Sequence, residues 1–269
     1  MWWHRLLAFI IRDFRMETSY RLAFVMRFAG IFISIATFFF IAQLFGEKTI
    51  PQLKAYGGNY FSFVLIGIAF SGLLTVGLST FSRSISTAQA QGTLEAMLVT
   101  PTKLSLIVLF SSLWSFLFTA LNVMVYLIIG SLLFGADFSN ANLVASFLIL
   151  ALTIPVFSGI GILSASFIIV LKRGDPINWV FGSLSTLMGG TFFPIEVMPA
   201  WLQKFAYLFP IFYALRAMRQ ALIKGVTLSA LSTDILVLAT MAALVLPLSI
   251  VAFKYAVKQA KIDGSLTTY

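Results

Sequence analysis

Long apolar runs alternate with short polar segments along almost the whole chain. Each run approaches or exceeds the roughly 20 residues that a helix needs to cross a hydrocarbon core about 30 Å thick. The pattern predicts six membrane-spanning helices, at residues 22–45, 59–81, 104–134, 143–171, 177–193 and 235–255. The predicted fold is therefore an all-α polytopic membrane protein with a single transmembrane domain over residues 1–269.

The first 20 residues have a different pattern. At 100° per residue, Trp3, Leu7 and Phe14 share one side of a helix, while Arg5 and Arg12 lie on the other. Basic side chains opposite aromatic ones are typical of a helix that lies on the membrane surface beside anionic headgroups. Residues 1–20 are therefore predicted to form an interfacial helix.

Prolines interrupt the segment between the fifth and sixth runs, residues 194–229. They divide it into short amphipathic pieces, and the fifth run beside it is itself short and glycine-rich. This pattern predicts re-entrant or interfacial helices between spans five and six. The candidate residues of this re-entrant segment are Gly189, Gly190, Pro194, Glu196 and Pro199.

Composition agrees with a membrane protein. Sixty per cent of the residues are hydrophobic, 10% are charged and the mean hydropathy is +0.99, whereas soluble domains carry about a quarter charged residues. The net charge of +9 is typical of cytoplasmic loops rather than nucleic-acid binding. With the N-terminus inside, twelve of the 18 Lys and Arg residues lie in inner segments. Both termini and residues 82–103 are therefore predicted to be cytoplasmic, in a multi-pass protein of the inner (plasma) membrane.

Residues 82–103 are polar but have the pattern of an ordered element. A short amphipathic helix is predicted there, with a break, an N-cap, an acidic first turn, an apolar face and a proline stop. An ordinary loop with one helical turn is the alternative. The helix is predicted from Thr93 to Thr100, and the candidate residues of the segment, including the break before it and the stop after it, are Gly92, Thr93, Leu94, Glu95, Met97, Leu98 and Pro101.

The chain shows no energy source of its own. All nine acidic residues map to termini, loops or span ends, and His4 is the only histidine, so proton coupling is disfavoured; sodium binding by backbone carbonyls stays open. No G-x-x-x-x-G-K-[ST] loop or metal-ligand cluster is present. We therefore expect no enzyme activity and no cofactor in this chain. A membrane-embedded lipid-modifying enzyme or a secondary transporter is the alternative.

Two stretches resemble a known family. GTLEAMLVTP (residues 92–101) is similar to the cytoplasmic coupling segment of type 2 ATP-binding-cassette (ABC) permeases, and GGTFFPIEVMPAWLQKFAYLFPIFYALRAMRQAL (residues 189–222) resembles their re-entrant segment. In one respect the chain departs from the family pattern. Gln89 and Gln91 stand where acidic residues usually precede the glycine.

The resemblance implies an ATP-driven exporter. It would contain two copies of this permease, most simply a homodimer, and two ATPase subunits that bind ATP and Mg²⁺. Residues 92–101 would couple the permease to the ATPase, with Glu95 the residue that carries over most directly. The substrate would be hydrophobic or amphipathic, such as a lipid, a drug or a glycan precursor.

Several side chains are candidates for a substrate path. Aromatic residues suit an apolar molecule, an amide can bond to cargo or between helices, and two arginines can attract an anionic group. The alternatives are packing between helices for the aromatic residues and a solvated helix face for the arginines. The candidates are Phe38, Phe39, Asn122, Arg216 and Arg219.

Overall fold

The computed structural model describes residues 11, 14, 19, 21–45, 51–90, 104–171 and 175–262. Within these residues all regular structure is helical. Two 3₁₀ helices occur, at Pro51–Tyr56 and Ile195–Val197. The α-helices are α1 (Arg21–Phe45), α2 (Tyr60–Ala90), α3 (Leu104–Phe134), α4 (Leu143–Leu171), α5 (Pro176–Met188), α6 (Ala200–Ala206), α7 (Pro210–Lys224) and α8 (Ser232–Ile262).

Five helices in the described part of the chain are long and apolar enough to cross a membrane. Their candidate spans are Val25–Phe45, Tyr60–Thr87, Trp114–Phe134, Leu143–Leu171 and Ser232–Ala260. The predicted class, an all-α polytopic membrane protein, is confirmed.

The fifth apolar run folds differently from the others. The sequence predicts a span at residues 177–193, but α5 contains 13 residues, or about 20 Å, less than the roughly 30 Å of a hydrocarbon core. The side chain of Asp175 caps the start of the helix, because its Oδ1 accepts a hydrogen bond from the backbone N–H of Asn178. Gly190, at φ +62°, then reverses the chain in the left-handed region that glycine tolerates. Residues 189–193 therefore form a turn instead of the end of a span.

Helix α2 lies at the centre of the bundle. Of its candidate span, 78% is buried, compared with 11% for the spans of α1 and α8. It packs against α3 and α4, and α4 packs in turn against α8. A Cβ on Gly161 of α4 would overlap the carbonyl oxygen of Gly77 of α2, so the two backbones approach as closely as glycine permits.

The C-terminal end of α2 continues into the polar stretch. The predicted span ends at residue 81, but the helix extends to Ala90. The predicted coupling residues Gly92, Thr93, Leu94, Glu95, Met97, Leu98 and Pro101 lie outside the described residues. The predicted interfacial helix at residues 1–20 is described at positions 11, 14 and 19 alone.

Candidate transport site: the re-entrant segment and a cavity between helices

The re-entrant segment is built from short helices that begin at prolines. Pro194 and Pro199 precede the 3₁₀ helix Ile195–Val197 and α6, and Pro210 is the first residue of α7. Proline suits these positions because its φ is fixed at a helical value and the first helical amides have no intrahelical acceptor. The side chain of Gln203 donates to the Met198 carbonyl at 2.8 Å and so ties α6 to the preceding turn.

Helix α7 packs into the bundle. Its apolar face, including Ile211, Leu215 and Met218, is buried in the same cluster as Ile66 and Phe70 of α2. The helix ends at Gly225, which adopts the left-handed conformation. Helix α7 is thus held against the central helix of the bundle.

Arg219 of α7 is buried, with 2% of its surface exposed. Its Nη2 donates to the carbonyls of Gly190 at 2.8 Å and Thr191 at 3.2 Å, and its Nε donates to the carbonyl of Phe63 at 3.2 Å. The guanidinium carbon also lies 3.5 Å from the centroid of the Phe63 ring. One side chain therefore fastens the turn at residues 189–193 to the N-terminal end of α2.

The interpretation of Arg219 as part of a solvated helix face is wrong. Helix α7 is amphipathic, as the sequence predicts. The side chain of Arg219 on its polar face nevertheless contacts backbone carbonyls of α2 and of the turn at residues 190–191 instead of solvent. The turn approaches the backbone of α2 closely at Gly67. A Cβ at that position would overlap the Thr191 carbonyl oxygen. A buried cation is tolerated here because three carbonyls replace its water.

Tyr56 adds a second link to the same region. Its hydroxyl donates to Oε1 of Glu196 at 3.2 Å, and its ring lies 5.2 Å from that of Phe63. Burial, reinforced by the nearby Glu196 carboxylate, raises the pKa of the Tyr56 hydroxyl well above its ordinary value. The hydroxyl therefore stays protonated and joins the 3₁₀ helix Pro51–Tyr56 to the re-entrant segment.

Arg216 is also paired. Its Nε donates to Asp234 Oδ1 at 3.0 Å, its Nη2 makes a second contact to the same carboxylate, and the guanidinium lies 4.6 Å from the Phe212 ring centroid. The Arg216 side chain is 29% exposed and that of Asp234 is 6% exposed. Arg216 therefore keeps contact with solvent, while its ion pair joins α7 to the first turn of α8.

Two predicted path residues make aromatic contacts between helices. Phe38 stacks on Phe192 of the re-entrant turn, with centroids 5.4 Å apart and an interplanar angle of 14°. Phe39 packs against Phe61 and Phe134, at 5.4 and 5.0 Å. Both side chains thus take part in the packing of α1 against its neighbours. Of the two roles considered from the sequence, a substrate path or packing between helices, these contacts correspond to packing.

Asn122 lines a cavity of about 440 Å³ between α1, α2 and α3. Its Oδ1 is buried and has no hydrogen-bond partner within the described part of the chain. The other lining residues were not predicted from the sequence, although polar ones recur at helical spacing, at 71 and 75 on α2 and at 119, 122 and 126 on α3. The lining is formed by Arg27, Gly30, Ile31, Ile68, Ala69, Ser71, Gly72, Thr75, Thr119, Asn122 and Tyr126.

The site thus combines anchoring contacts made by Arg219, Tyr56 and Arg216 with a cavity between α1, α2 and α3. Among residues 21–45, 51–90, 104–171 and 175–262, no group of three His, Asp or Glu side chains is placed to hold a metal ion. Taken together, the fold and the site define a multi-pass helical membrane protein in which short helices after α5 are fastened to the central helix.

Comparison with known families then identifies the protein more closely. The family model described as ABC-2 type transporter matches residues 5–223, more than half of the chain. The chain belongs to this family. No curated protein matches it. It is thus a permease subunit of an ABC transporter, is not itself a catalytic enzyme, and belongs to a family that works with an ABC ATPase.

Proposed function

We propose that the chain is the permease of an exporter that moves a hydrophobic or amphipathic substrate out of the cytoplasm or inner leaflet. The observation that carries this proposal is the family match, whose range of residues 5–223 includes both the predicted coupling segment and the stretch 189–222 that resembles the family's re-entrant segment. Lipids, hydrophobic drugs and glycan precursors are the substrates considered. The membrane is the inner (plasma) membrane, with both termini in the cytoplasm, as the distribution of Lys and Arg favours.

The proposed complex contains two copies of this chain and two ATPase subunits. ATP and Mg²⁺ bind to the ATPase subunits, and the permease contributes no cofactor. The exposed apolar faces of α1 and α8 support an assembly with a second copy, because each span leaves most of its surface uncovered by its own chain. Lipid covers what the second copy does not.

Helix α2 provides a mechanical connection in this proposal. It has 31 residues, or about 46 Å at 1.5 Å per residue. Its inner end leads directly into the coupling segment, and its outer end is fastened through Phe63 to Arg219 and the re-entrant turn. Closure of the ATPase dimer would move the inner end, and the re-entrant segment would follow because it is bonded to the same helix.

Coupling is tested by charge reversal of Glu95 in the purified complex. We expect Glu95→Lys to leave ATP hydrolysis measurable and to reduce ATP-dependent transport by about tenfold or more, since the predicted contact loses its acidic side chain and gains a positive charge in its place. Asp137→Lys is the control, because Asp137 is an exposed acid in the loop between α3 and α4. Full transport by the permease with no ATPase present would overturn the proposed function.

Topology is tested with single cysteines, since the chain contains none. A membrane-impermeant maleimide applied to intact cells should label a cysteine at position 137 and should not label one at position 95. Labelling of position 95 from outside would place the coupling segment on the wrong side of the membrane and refute the mechanism.

A further inference from the structure

Three links hold α7 to its neighbours at one end of the bundle. Its two arginines bond to α2 and to α8, as described above. Asn142, directly before α4, donates from its backbone N–H to the Ala221 carbonyl at 2.9 Å and from its Nδ2 to the Val226 carbonyl at 3.2 Å. Helices α2, α4, α7 and α8 are therefore joined to one another at this end.

Glycines hold three of the same helices together along their length. A Cβ at Gly161 of α4 would overlap the carbonyl oxygen of Gly77 of α2, and one at Gly159 would lie 2.9 Å from the Val245 side chain of α8. Atoms of the neighbouring helix thus occupy the space that each missing side chain leaves. Because α4 is fixed in this way between α2 and α8, the helices α2, α4, α7 and α8 form one packed unit.

Helix α1 is packed unevenly against this unit. Among its described side chains, the first buried one is that of Ile31. Beyond that residue, Phe38 and Phe39 fasten the C-terminal half of α1 to α2, to α3 and to the turn after α5. Before it, Arg27 lies over the Phe118 ring of α3, at 4.5 Å from the ring centroid. The N-terminal half therefore contacts α3, while the cavity separates it from α2.

Two glycines that line this cavity differ from those inside the packed unit. A Cβ at Gly30 of α1 would meet no atom within 4 Å, and one at Gly72 of α2 would meet only the Thr119 methyl group, at 3.8 Å. No neighbour occupies the space of their missing side chains. Two glycine surfaces on two helices can come together without a steric clash, so the space between them permits α1 to approach α2.

The wall that α2 contributes is suited to such an approach. Its residues at the cavity include Ala69, Ser71 and Thr75, which are small. The hydroxyls of Ser71 and Thr75 donate to carbonyls of their own helix, at 2.8 and 3.0 Å. They need no partner across the cavity, so a helix that covers them leaves no donor unpaired.

We propose that residues 21–30 of α1 form a strap that swings about the aromatic contacts of the same helix and closes on α2, bringing Gly30 against Gly72 and removing the cavity. Gly30 lies eight residues from Phe38, about 12 Å along the helix, so a rotation of about 20° moves it by about 4 Å. Membrane helices differ in tilt by more than this. The inference rests on the proposed function for its link to ATP, since closure is a movement of the transport cycle.

The first test uses pairs of introduced cysteines, since the chain contains none. The permease–ATPase complex is placed in phosphatidylcholine nanodiscs, and the joined peptides are measured by mass spectrometry. A disulfide needs Cα atoms within about 7 Å, so Gly30→Cys with Gly72→Cys should form one about fivefold faster during ATP turnover than without nucleotide. Val25→Cys with Gly72→Cys is the control, because Val25 is exposed and lies about 140° around α1 from Gly30.

The second test fills the space. Gly72→Leu and Gly30→Leu should fold with a Tm close to that of the wild type, because both positions face open space, and should lower ATP-dependent transport by about tenfold, because the strap no longer closes. Gly182→Leu of α5 is the matched control. A Cβ at Gly182 would meet only Asn178 Oδ1, at 3.8 Å, and Gly182 does not line the cavity.

The outcomes separate this proposal from the proposed function. A disulfide between positions 30 and 72 that forms faster than the control's only with ATP supports closure within the transport cycle, and one that forms faster even without nucleotide supports closure before ATP binds. Equal rates for both cysteine pairs under both conditions, or full transport by both leucine variants, would overturn the strap. If the wild-type complex still transports in an ATP-dependent manner, the strap is then wrong and the proposed function stands. If the disulfide forms in a complex that shows no such transport, the proposed function fails and the strap remains.

Discussion

Replacing Arg219 by Met is the most direct test of how the re-entrant segment is held. Methionine is long, flexible and apolar, so it can fill the space while removing all three hydrogen bonds. The Phe63 carbonyl lies within α2, where the helical bonding pattern gives it an amide partner as well. The Gly190 and Thr191 carbonyls have Arg219 as their donor in the described part of the chain, and both residues are buried.

The expected cost follows from those two carbonyls. Leaving a buried carbonyl without a donor costs about 1–3 kcal/mol, so two give roughly 2–6 kcal/mol. Removing a buried cation recovers part of this, because its desolvation penalty disappears. We expect a net loss of about 2–4 kcal/mol, which for a chain of this size lowers Tm by roughly 5–15 °C.

Thermal unfolding of the detergent-purified permease measures the loss. Lys204→Met is the matched control, because Lys204 is an exposed basic residue of the same segment and its loss should change stability by less than about 0.5 kcal/mol. A second readout is Thr191→Cys, at a position with 0% exposure. This cysteine should become reactive to maleimide only when Arg219 is replaced. Equal Tm values for Arg219→Met and Lys204→Met would refute the anchoring role.

Three further predictions concern the surrounding contacts. Gly67→Ala should destabilise the protein by about 1–3 kcal/mol, because the new methyl group overlaps the Thr191 carbonyl oxygen. Gly30→Ala is the control, because its methyl group meets no atom. Equal Tm values for the two variants would contradict the close approach of the turn to α2. Because the pKa of Tyr56 is raised on folding, its stabilising contribution is present below its ordinary pKa of about 10 and is lost as pH rises above it. Thermal scans from pH 8 to 12 should therefore show a smaller alkaline loss in Tyr56→Phe than in the wild type, and identical pH profiles would argue against the buried hydroxyl. Asp234→Asn should cost about 1 kcal/mol, since it weakens a half-buried ion pair that water partly screens; a double-mutant cycle with Arg216→Gln that shows no coupling would refute the pairing.

The class of fold was predictable from sequence because hydrophobic length is a local property. Runs of apolar residues give the long helices, and prolines mark where the re-entrant pieces begin, since both effects act within a few residues. The end of α5 was not predicted because residues 189–193 are apolar enough to continue a span. Only the positive φ of Gly190 shows that the chain turns there.

The site was less predictable because it depends on which faces meet. An amphipathic pattern shows that α7 has a polar stripe at Arg219, but it does not show whether the stripe contacts water or other backbone groups. The polar positions 71 and 75 and the polar positions 119 and 122 were visible separately. That α2 and α3 bring them to one cavity follows from tertiary packing, which no single helix encodes.

The carbonyls that Arg219 binds in the turn have one further consequence for sequence variation. Main-chain oxygens are the same in every residue, so the hydrogen bonds of Arg219 do not depend on neighbouring side chains such as that of Phe192, which itself stacks on Phe38. Substitutions at the exposed Val197, just beyond the turn, should therefore leave the turn in place. Related permeases should accordingly tolerate exchange of this loop in chimaeras, provided that the arginine and the reversing glycine are retained.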